Sequence, residues 1–452
     1  MTHLKPFCLL GLAIAFFTLS CKHEPAAHIH KSLAPIPEWA KNSVIYEVNI
    51  RQYTPEGTFA AFESHLPRLK EMGVDILWLM PIHPIGEKNR KGSLGSYYSV
   101  KDYTAVNPEY GTMDDFRHLV SKVHEHGMKL IIDWVANHTA WDHAWVGRYP
   151  DFYAKDSANQ MYGPFDWSDV AQLDYSNIAL RKEMTNALAF WVREADIDGF
   201  RCDVAGMVPV DFWEDARAEL EKVKPVFMLA EDEDKTTLLH KAFNANYAWA
   251  FHHLMNKTAH PKDSAFLIAD WIAKADTVYP AGAFAMQFTS NHDENSWNGT
   301  EYERLGNAVK TYATLAFVAP GMPLVYSGQE AGLKKRLRFF DKDTIAWDDL
   351  SMARFYKQLT GLKHQNAALA NGSWGGKTNL LTTDQPSRIV AFERTVGRNN
   401  VISVFNLSAD SVSVALNVAV NGYFTDYFAG QTTSIPSTLT LSPWEFKVFV
   451  KQ

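Results

Sequence analysis

Carboxylate side chains in this sequence stand at the ends of short apolar runs, the positions where parallel strands carry catalytic loops. Asp203, Glu231 and Asp293 each follow such a run, and histidines accompany similar segments at His138 and His292. Neighbouring carboxyl groups can supply a nucleophile and a proton donor, the two groups that covalent and acid–base catalysis require. The sequence therefore predicts an acid–base site that is built from strand ends.

The segment Gly199-Phe200-Arg201-Cys202-Asp203 shows how a strand would position such groups. Side chains alternate along a strand, so Arg201 and Asp203 face one way while Cys202 faces the other. With Arg201 and Asp203 in the mouth of a barrel, Cys202 packs against helices as a small core residue. Arg201 is then expected to hold the Asp203 carboxylate ionised through charge and hydrogen bonds.

Short strands that alternate with helices predict an α/β fold, a (β/α)8 TIM barrel, over about 330 residues. The helices between the strands carry apolar residues at helical spacing, as at Phe116, Leu119, Val120 and Val123. The predicted strands are 44–50, 76–81, 129–133, 199–203, 226–231, 283–289 and 323–326, with 248–254 as a weaker candidate for the sixth.

Two departures from this alternation predict further domains. Residues 139–177 are irregular and rich in Trp, Tyr, Asp and Gly. Because they follow the third strand, they predict a short inserted B domain on the face where loops build active sites. The barrel is assigned to 41–370, and the short alternating strands of 371–452 predict a C-terminal all-β sandwich domain.

The N-terminal leader predicts export. The apolar run from Phe7 to Leu19 is too short to span a membrane, and it is typical of a signal peptide over residues 1–20. The run ends in Leu19-Ser20-Cys21, which resembles a bacterial lipobox, so Cys21 is the predicted lipidation site and 21–40 the tether. These features predict an exported bacterial lipoprotein, periplasmic-facing or at the cell surface; secretion with an unmodified Cys21 is the alternative.

The composition narrows the classes of partner. The chain carries 44 Lys and Arg against 51 Asp and Glu, with no long basic run, so no nucleic-acid partner is expected. Its 14 Trp and 18 Tyr suit sugars, whose apolar faces stack on aromatic rings, although most aromatic side chains belong to a core. Three cysteines form no disulfide framework.

The polar strand ends resemble, in order, the four signature regions of the α-amylase superfamily, glycoside hydrolase family 13. Three further segments are similar to a loop bearing a sugar-stacking tyrosine, to the end of the B domain and to the eighth strand. Seven motifs in one order identify the chain as a member of this family over about residues 44–370. The segments are Asp133 to His138, Gly199 to Asp203, Leu229 to Glu231, Phe288 to Asp293, Tyr98 to Tyr103, Leu173 to Asn177 and Gly321 to Glu330.

The resemblance implies a retaining mechanism in which Asp203 is the nucleophile and Glu231 the acid/base. Asp293 is expected to grip sugar hydroxyls, and its charge helps to keep Glu231 protonated. Asp133 and Asn137 are expected to shape the site without reacting. The residues expected to bind the glucose at the cleavage point are Tyr98, by stacking, and His138, Arg201 and His292.

Positions 206 and 207 depart from the family pattern. Many α-amylases have a Lys-His pair there that contacts the leaving-side sugar, and the His carbonyl helps to bind calcium; this chain has Gly206 and Met207. The leaving side is therefore expected to be more open and less polar. Asn137 matches one calcium ligand, but calcium takes about 6 to 8 oxygens. No metal ligands are assigned, the chemistry is expected to need no cofactor, and calcium binding stays open.

The expected activity is hydrolysis of α-1,4-glucosidic bonds in soluble starch or maltooligosaccharides by double displacement. A 4-α-glucanotransferase, a cyclomaltodextrinase or an exo-acting α-glucosidase of the same superfamily would share the cleavage-point residues and differ in its subsite loops. A non-catalytic sugar-binding lipoprotein is the remaining alternative; its hallmark would be a lost carboxylate, and all three are present. The sequence does not settle exo or endo mode, transfer or oligomeric state.

Overall fold

The computed structural model describes residues 34–260, 264–416 and 422–451. Eight parallel strands close a barrel, as the sequence predicted, and two short strands form a separate antiparallel pair. The predicted signal peptide, Cys21 and most of the predicted tether lie outside these ranges. The barrel strands are β1 (Ile45–Val48), β2 (Ile76–Leu79), β3 (Lys129–Trp134), β6 (Gly199–Cys202), β7 (Phe227–Ala230), β8 (Ala245–Tyr247), β9 (Phe284–Gln287) and β10 (Met322–Tyr326), and the pair is β4 (His138–Ala140) with β5 (Val170–Gln172).

Alternation along the barrel strands separates two cores. One set of side chains fills the barrel interior, including Ile76 and Trp78 of β2 and Leu229 of β7. The residues between them, such as Leu77 of β2 and Met228 of β7, pack outward against the helices in the larger cluster. Burial on both faces explains why these strands are almost continuously apolar in sequence.

The sixth barrel strand lies three residues earlier than predicted. Residues 249–254 of that stretch belong to a helix, Trp249–Thr258, which buries Phe251, His252 and Met255 on one side at helical spacing. The strand is the preceding Ala245–Tyr247. It is only three residues long, follows Asn244 and contains Asn246, so it lacks the apolar run that marks the other strands.

Helices surround the barrel and connect its strands. A capping box of Thr112 and Asp115 begins the helix after β2, and that helix buries the four apolar residues which the sequence pattern placed on one face. Among the described residues, no helix has both the length and the apolar character to cross a bilayer. The α-helices are α1 (Ile50–Tyr53), α2 (Phe59–Glu63), α3 (Leu66–Met72), α4 (Met113–Glu125), α5 (Ala144–Arg148), α6 (Ile178–Glu194), α7 (Val210–Glu221), α8 (Leu238–Lys241), α9 (Trp249–Thr258), α10 (Ala265–Val278), α11 (Glu301–Leu305), α12 (Val309–Val318) and α13 (Ala353–Gln365).

The C-terminal region is all-β, as predicted. A six-stranded antiparallel sheet and a two-stranded pair enclose a small apolar core. The buried guanidinium of Arg394 joins this region to the barrel by donating to the carbonyl oxygens of Val318, Ala319 and Ala370 at 3.1–3.3 Å. The strands are β11 (Lys377–Leu380), β12 (Ile389–Val396), β13 (Asn399–Asn406), β14 (Val412–Ala415), β15 (Tyr423–Asp426), β16 (Gln431–Ser434), β17 (Thr438–Leu441) and β18 (Phe446–Lys451).

Candidate active site

Arg201 lies at the centre of a charged cluster at the carboxyl ends of β3, β6 and β7. One terminal nitrogen is 2.8 Å from Asp133 Oδ1 and 3.1 Å from Asp203 Oδ1, and the other is 2.9 Å from Glu231 Oε1. Its Nε donates to the Tyr247 hydroxyl at 3.0 Å. Arg201 has no exposed surface, and it holds Asp203 as the sequence predicted. Its assignment to the glucose at the cleavage point stays a prediction.

The parallel register brings these groups together. Asp133 lies opposite Arg201 on the neighbouring strand, and the backbone ladder continues past β6 through the amides of Asp203 and Glu231. Asp203 and Glu231 keep 11% and 13% of their side-chain surface exposed, so both face a space that a ligand can enter. The structure therefore unites two of the three carboxylates that the sequence nominated for catalysis, Asp203 and Glu231.

Val204, directly after Asp203, has a backbone conformation that β-branched residues rarely adopt, with φ of 36° and ψ of 46°. This conformation directs its amide toward Glu231, and the N–H donates to Oε2 at 2.8 Å. A residue held in such a conformation costs about 1–3 kcal/mol and persists only where its surroundings impose it. The strain here positions one carboxylate against the other.

The charge balance of the cluster favours retention of a proton. Three carboxylates, Asp133, Asp203 and Glu231, share the single guanidinium of Arg201. Burial, together with the charge of Glu231, raises the pKa of Asp203 well above its ordinary range, although Arg201 opposes this. Burial also raises the pKa of Asp133 to about 6. The cluster is therefore suited to hold and move a proton near neutral pH.

His292 links the third predicted carboxylate to the cluster. Its Nδ1 is 2.5 Å from Glu47 Oε1, and its Nε2 is 2.8 Å from the Tyr98 hydroxyl and 3.3 Å from Asp293 Oδ2. Burial alone would lower the pKa of His292, but the charges of Asp293 and Glu47 outweigh it and raise that pKa to about 9. The ring is then a cation at neutral pH and donates from both nitrogens.

Glu47 was missed in the sequence, although a signal for it existed. It is an acidic residue inside the otherwise apolar strand β1, and all four positions of that strand are buried. A charged side chain is almost never fully buried without a partner, so its presence in such a run indicates a paired role.

Tyr98 and His138 lie at the cleft, as the sequence predicted for sugar-binding residues. The Tyr98 hydroxyl donates to Asp133 Oδ2 at 3.1 Å, and its ring stacks on His292 with centroids 5.5 Å apart. Burial lowers the pKa of His138 to about 4, so its ring is neutral at neutral pH. Their assignment to the glucose at the cleavage point stays a prediction.

Aromatic side chains wall a cleft of about 460 Å³ above the carboxylates. Trp167 comes from the inserted segment, and Trp297, Phe339 and Phe340 come from the loops after β9 and β10. Trp297 is 53% exposed, which leaves its ring open to a ligand. The sequence analysis nominated none of the four, yet the adjacent Phe339 and Phe340 in a loop were a recognisable signal.

Charged side chains lie beside Gly206, and the expectation of a more open, less polar leaving side stays a prediction. A Cβ on Gly206 would lie 1.9 Å from Asp232 Oδ2, so the carboxylate of Asp232 takes the space of a side chain at that position. The Lys235 ammonium donates to the Gly206 carbonyl oxygen. Both charged groups come from the loop after β7.

The surroundings of Asn137 do not fit a calcium ion. Its side-chain oxygen and its backbone carbonyl oxygen both accept hydrogen bonds from the side-chain amide of Gln172. The part of the chain that the structure describes contains no group of three or more His, Cys, Asp or Glu side chains that could hold a metal. No chemical step at this site is assigned to a metal.

Comparisons with known proteins agree with this geometry. The alpha-amylase MalA of Haloarcula japonica is 27% identical over 412 residues, which are 87% of this chain and 59% of that protein's length. A noncanonic maltogenic alpha-amylase, AmyB, from Thermotoga neapolitana is 30% identical, with a TM-score of 0.83 over 91% of this chain and 99% of that one. An alpha-amylase from Lactobacillus plantarum has a TM-score of 0.82 at the same identity and coverage.

The family model described as the alpha amylase catalytic domain matches residues 39–167 and 148–366. These ranges include every barrel strand, the inserted segment and all three predicted catalytic carboxylates. Both 30%-identical structures carry the name alpha-amylase and are spanned almost completely by this chain. The chain therefore belongs to the α-amylase family of enzymes, glycoside hydrolase family 13.

Proposed function

We propose that this enzyme hydrolyses α-1,4-glucosidic bonds of soluble glucans with retention of configuration. The observation that carries the proposal is the attachment of Asp203 and Glu231 to the two terminal nitrogens of one buried guanidinium at the floor of the cleft. A retaining enzyme needs its two carboxyl groups about 5–5.5 Å apart, so that one attacks while the other protonates the leaving oxygen.

The reaction proceeds in two displacements. Asp203 attacks the anomeric carbon while Glu231 gives its proton to the glycosidic oxygen, which breaks the bond and releases the leaving sugar. Glu231, now ionised, removes a proton from water, and the resulting hydroxide displaces Asp203 from the anomeric carbon. The second step returns the proton to Glu231 and the charge to Asp203.

The reaction requires the proton of the cluster to lie on Glu231 and the charge to lie on Asp203. The free cluster retains a proton among its carboxylates, and burial favours the neutral form of Asp203. In the oxocarbenium-like transition state, positive charge develops at the anomeric carbon beside Asp203, and this charge favours the ionised form of the nucleophile. Arg201 contacts both groups, so its charge remains balanced when the proton passes from one to the other.

Soluble chains are the proposed substrate because a cleft walled by aromatic side chains suits a flexible glucan, and one related structure is named a maltogenic alpha-amylase. We expect soluble starch to give α-anomeric maltose and maltotriose, with little release from starch granules. Products are to be resolved over time by chromatography, and their anomeric form by NMR immediately after cleavage.

Two outcomes would replace this substrate assignment without altering the mechanism. Consumption of sucrose, trehalose or isomaltose while starch and maltooligosaccharides stay intact would assign a different bond. Disproportionation of maltotriose that is faster than its hydrolysis would make the enzyme a 4-α-glucanotransferase, and preferential opening of cyclodextrins would make it a cyclomaltodextrinase. Release of β-anomeric products would contradict the retaining mechanism itself.

We also propose that the protein is exported and anchored to a bacterial membrane through a lipid on Cys21. The support is the apolar leader that ends in Leu19-Ser20-Cys21. Cys21→Ser is expected to move most of the protein from the membrane fraction to the soluble fraction, or to leave the precursor uncleaved, because it removes the thiol to which the lipid is attached. Fractionation followed by immunoblotting measures this.

The matched control is Cys8→Ser, which changes the other leader cysteine and is expected to leave anchoring intact. Mass spectrometry of the wild-type mature N-terminus provides a direct check. A mature protein without diacylglycerol on Cys21 would contradict the anchor and favour plain secretion.

A further inference from the structure

The side-chain amide of Gln172 is surrounded by oxygen atoms where the inserted segment joins the barrel. Its Nε2 lies 2.9 Å from Asn137 Oδ1, 3.2 Å from the Asn137 carbonyl oxygen and 3.2 Å from the Leu173 carbonyl oxygen. In return, Gln172 Oε1 accepts a hydrogen bond of 3.2 Å from Asn137 Nδ2. Strands β4 and β5 bring the two residues together, because His138 pairs with Gln172 in their antiparallel register.

Backbone carbonyl groups fix the direction in which both amides point. A carbonyl oxygen accepts hydrogen bonds and cannot donate them, so the Gln172 group that faces Asn137 O and Leu173 O is the NH₂ group. The same NH₂ group donates to Asn137 Oδ1, which leaves Asn137 Nδ2 to face His138 Nδ1 at 3.2 Å. The amide orientations therefore follow from unambiguous backbone atoms and not from a choice between equivalent fits.

This orientation determines the proton position on His138. Asn137 Nδ2 is only a donor, so Nδ1 of His138 must accept and carries no proton. A ring whose Nδ1 accepts a hydrogen bond is neutral. A neutral imidazole with an unprotonated Nδ1 carries its proton on Nε2. The backbone of Tyr98 is a further hydrogen-bond partner of this ring, and His138 lines the cleft.

We propose that Gln172 is a positioning residue: through Asn137 it holds His138 in the Nε2-protonated form, and its amide nitrogen takes the place of a calcium ion at this junction. A calcium ion would need these oxygens at about 2.3–2.6 Å, and the NH₂ group occupies the same space with two protons and no net charge. A role of His138 in substrate binding rests on the proposed function. The contacts of Gln172 Nε2 with the oxygens of Asn137 and Leu173 do not depend on that function.

Thermal unfolding of the full chain tests the replacement of the ion. The wild-type melting temperature is expected to change by less than about 2 °C between EDTA and calcium chloride, since no ion is needed. Gln172→Glu keeps the side-chain shape but places a carboxylate oxygen against the oxygens of Asn137 and Leu173. The repulsion is expected to lower Tm in EDTA by roughly 5–10 °C. Added calcium should restore part of that loss.

Gln160→Glu is the matched control, because Gln160 is an exposed glutamine of the same inserted segment. It adds the same charge and is expected to leave Tm unchanged under both conditions. A wild-type protein that loses stability in EDTA and regains it with calcium would overturn the proposal. So would a Gln172→Glu protein with wild-type Tm in EDTA.

The proton position is tested by long-range ¹H–¹⁵N spectra of protein labelled with ¹⁵N-histidine, with the His138 signals assigned from a His138→Gln variant. Wild-type protein is expected to show the Nε2-protonated form at His138, and Gln172→Ala is expected to show a mixture of both forms. A proton on Nδ1 in the wild type, or an unchanged ring in Gln172→Ala, would overturn the proposal. Neither measurement uses substrate, so a failure of the proposed activity would be distinguishable.

Discussion

Replacement of Asp203 by asparagine is expected to lower kcat/KM on maltooligosaccharides by about 10⁴-fold or more, because the amide cannot form the covalent glycosyl intermediate. Such a loss corresponds to about 5.5 kcal/mol of transition-state stabilisation. The side chain keeps its shape, so Arg201 can still contact position 203. Steady-state kinetics with a chromogenic maltooligosaccharide measures the change, and circular dichroism verifies the fold.

The same variant is expected to be at least as stable as the wild type. Burial raises the pKa of Asp203 in the folded protein, so ionised Asp203 costs folding free energy above the unfolded pKa of about 3.9. The neutral amide removes that cost at pH 7, and the gain in Tm should shrink as the pH falls.

Asp203→Ala in the presence of azide is expected to give a β-glycosyl azide.

Asp215→Asn is the matched control for this prediction, since Asp215 is an exposed aspartate on α7. It is expected to keep wild-type kinetics and wild-type Tm. Turnover within about tenfold of the wild type in folded Asp203→Asn would remove Asp203 from the role of nucleophile. Formation of an α-glycosyl azide instead would assign Asp203 to the acid/base position.

The sequence was informative wherever chemistry coincides with a strand end. The alternation of Arg201 and Asp203 placed both on one face, and the structure shows them on one face with Asp203 bound to the guanidinium. Alternation could not show that the same guanidinium also holds Asp133 and Glu231, because those contacts depend on the register between strands. Such register is set by the closure of the whole barrel.

The contacts made by the inserted segment could not be predicted from the sequence. Gln172 is a single polar residue in a three-residue strand, and nothing in its type or spacing indicates Asn137 as its partner. The side chain of Asp232 beside Gly206 is a similar case, since it comes from a different loop. These contacts depend on how loops fold over one another, and hydrophobic patterning carries no information about that.

The second large effect concerns Glu231. Glu231→Gln is expected to lower kcat on natural maltooligosaccharides by about 10²–10⁴-fold, because the amide cannot protonate the leaving sugar oxygen or activate water. Substrates with a good leaving group, such as a 2-chloro-4-nitrophenyl maltoside, need no proton for bond cleavage. Their glycosylation step should be nearly unaffected, so a burst of phenol release is expected before slow hydrolysis of the intermediate.

Azide should accelerate the slow step in this variant and give an α-glycosyl azide, because a small anion needs no general base to attack the intermediate. This outcome is opposite in configuration to the one expected for Asp203→Ala, so the two products assign the two roles independently. Glu233→Gln, two positions along the same loop, is the matched control and should keep activity on both substrate types. Equal losses on natural and activated substrates in Glu231→Gln would show that Glu231 supports the site without acting as its acid. The hydrogen bond that its Oε2 accepts from strained Val204 would then be the reason for its placement.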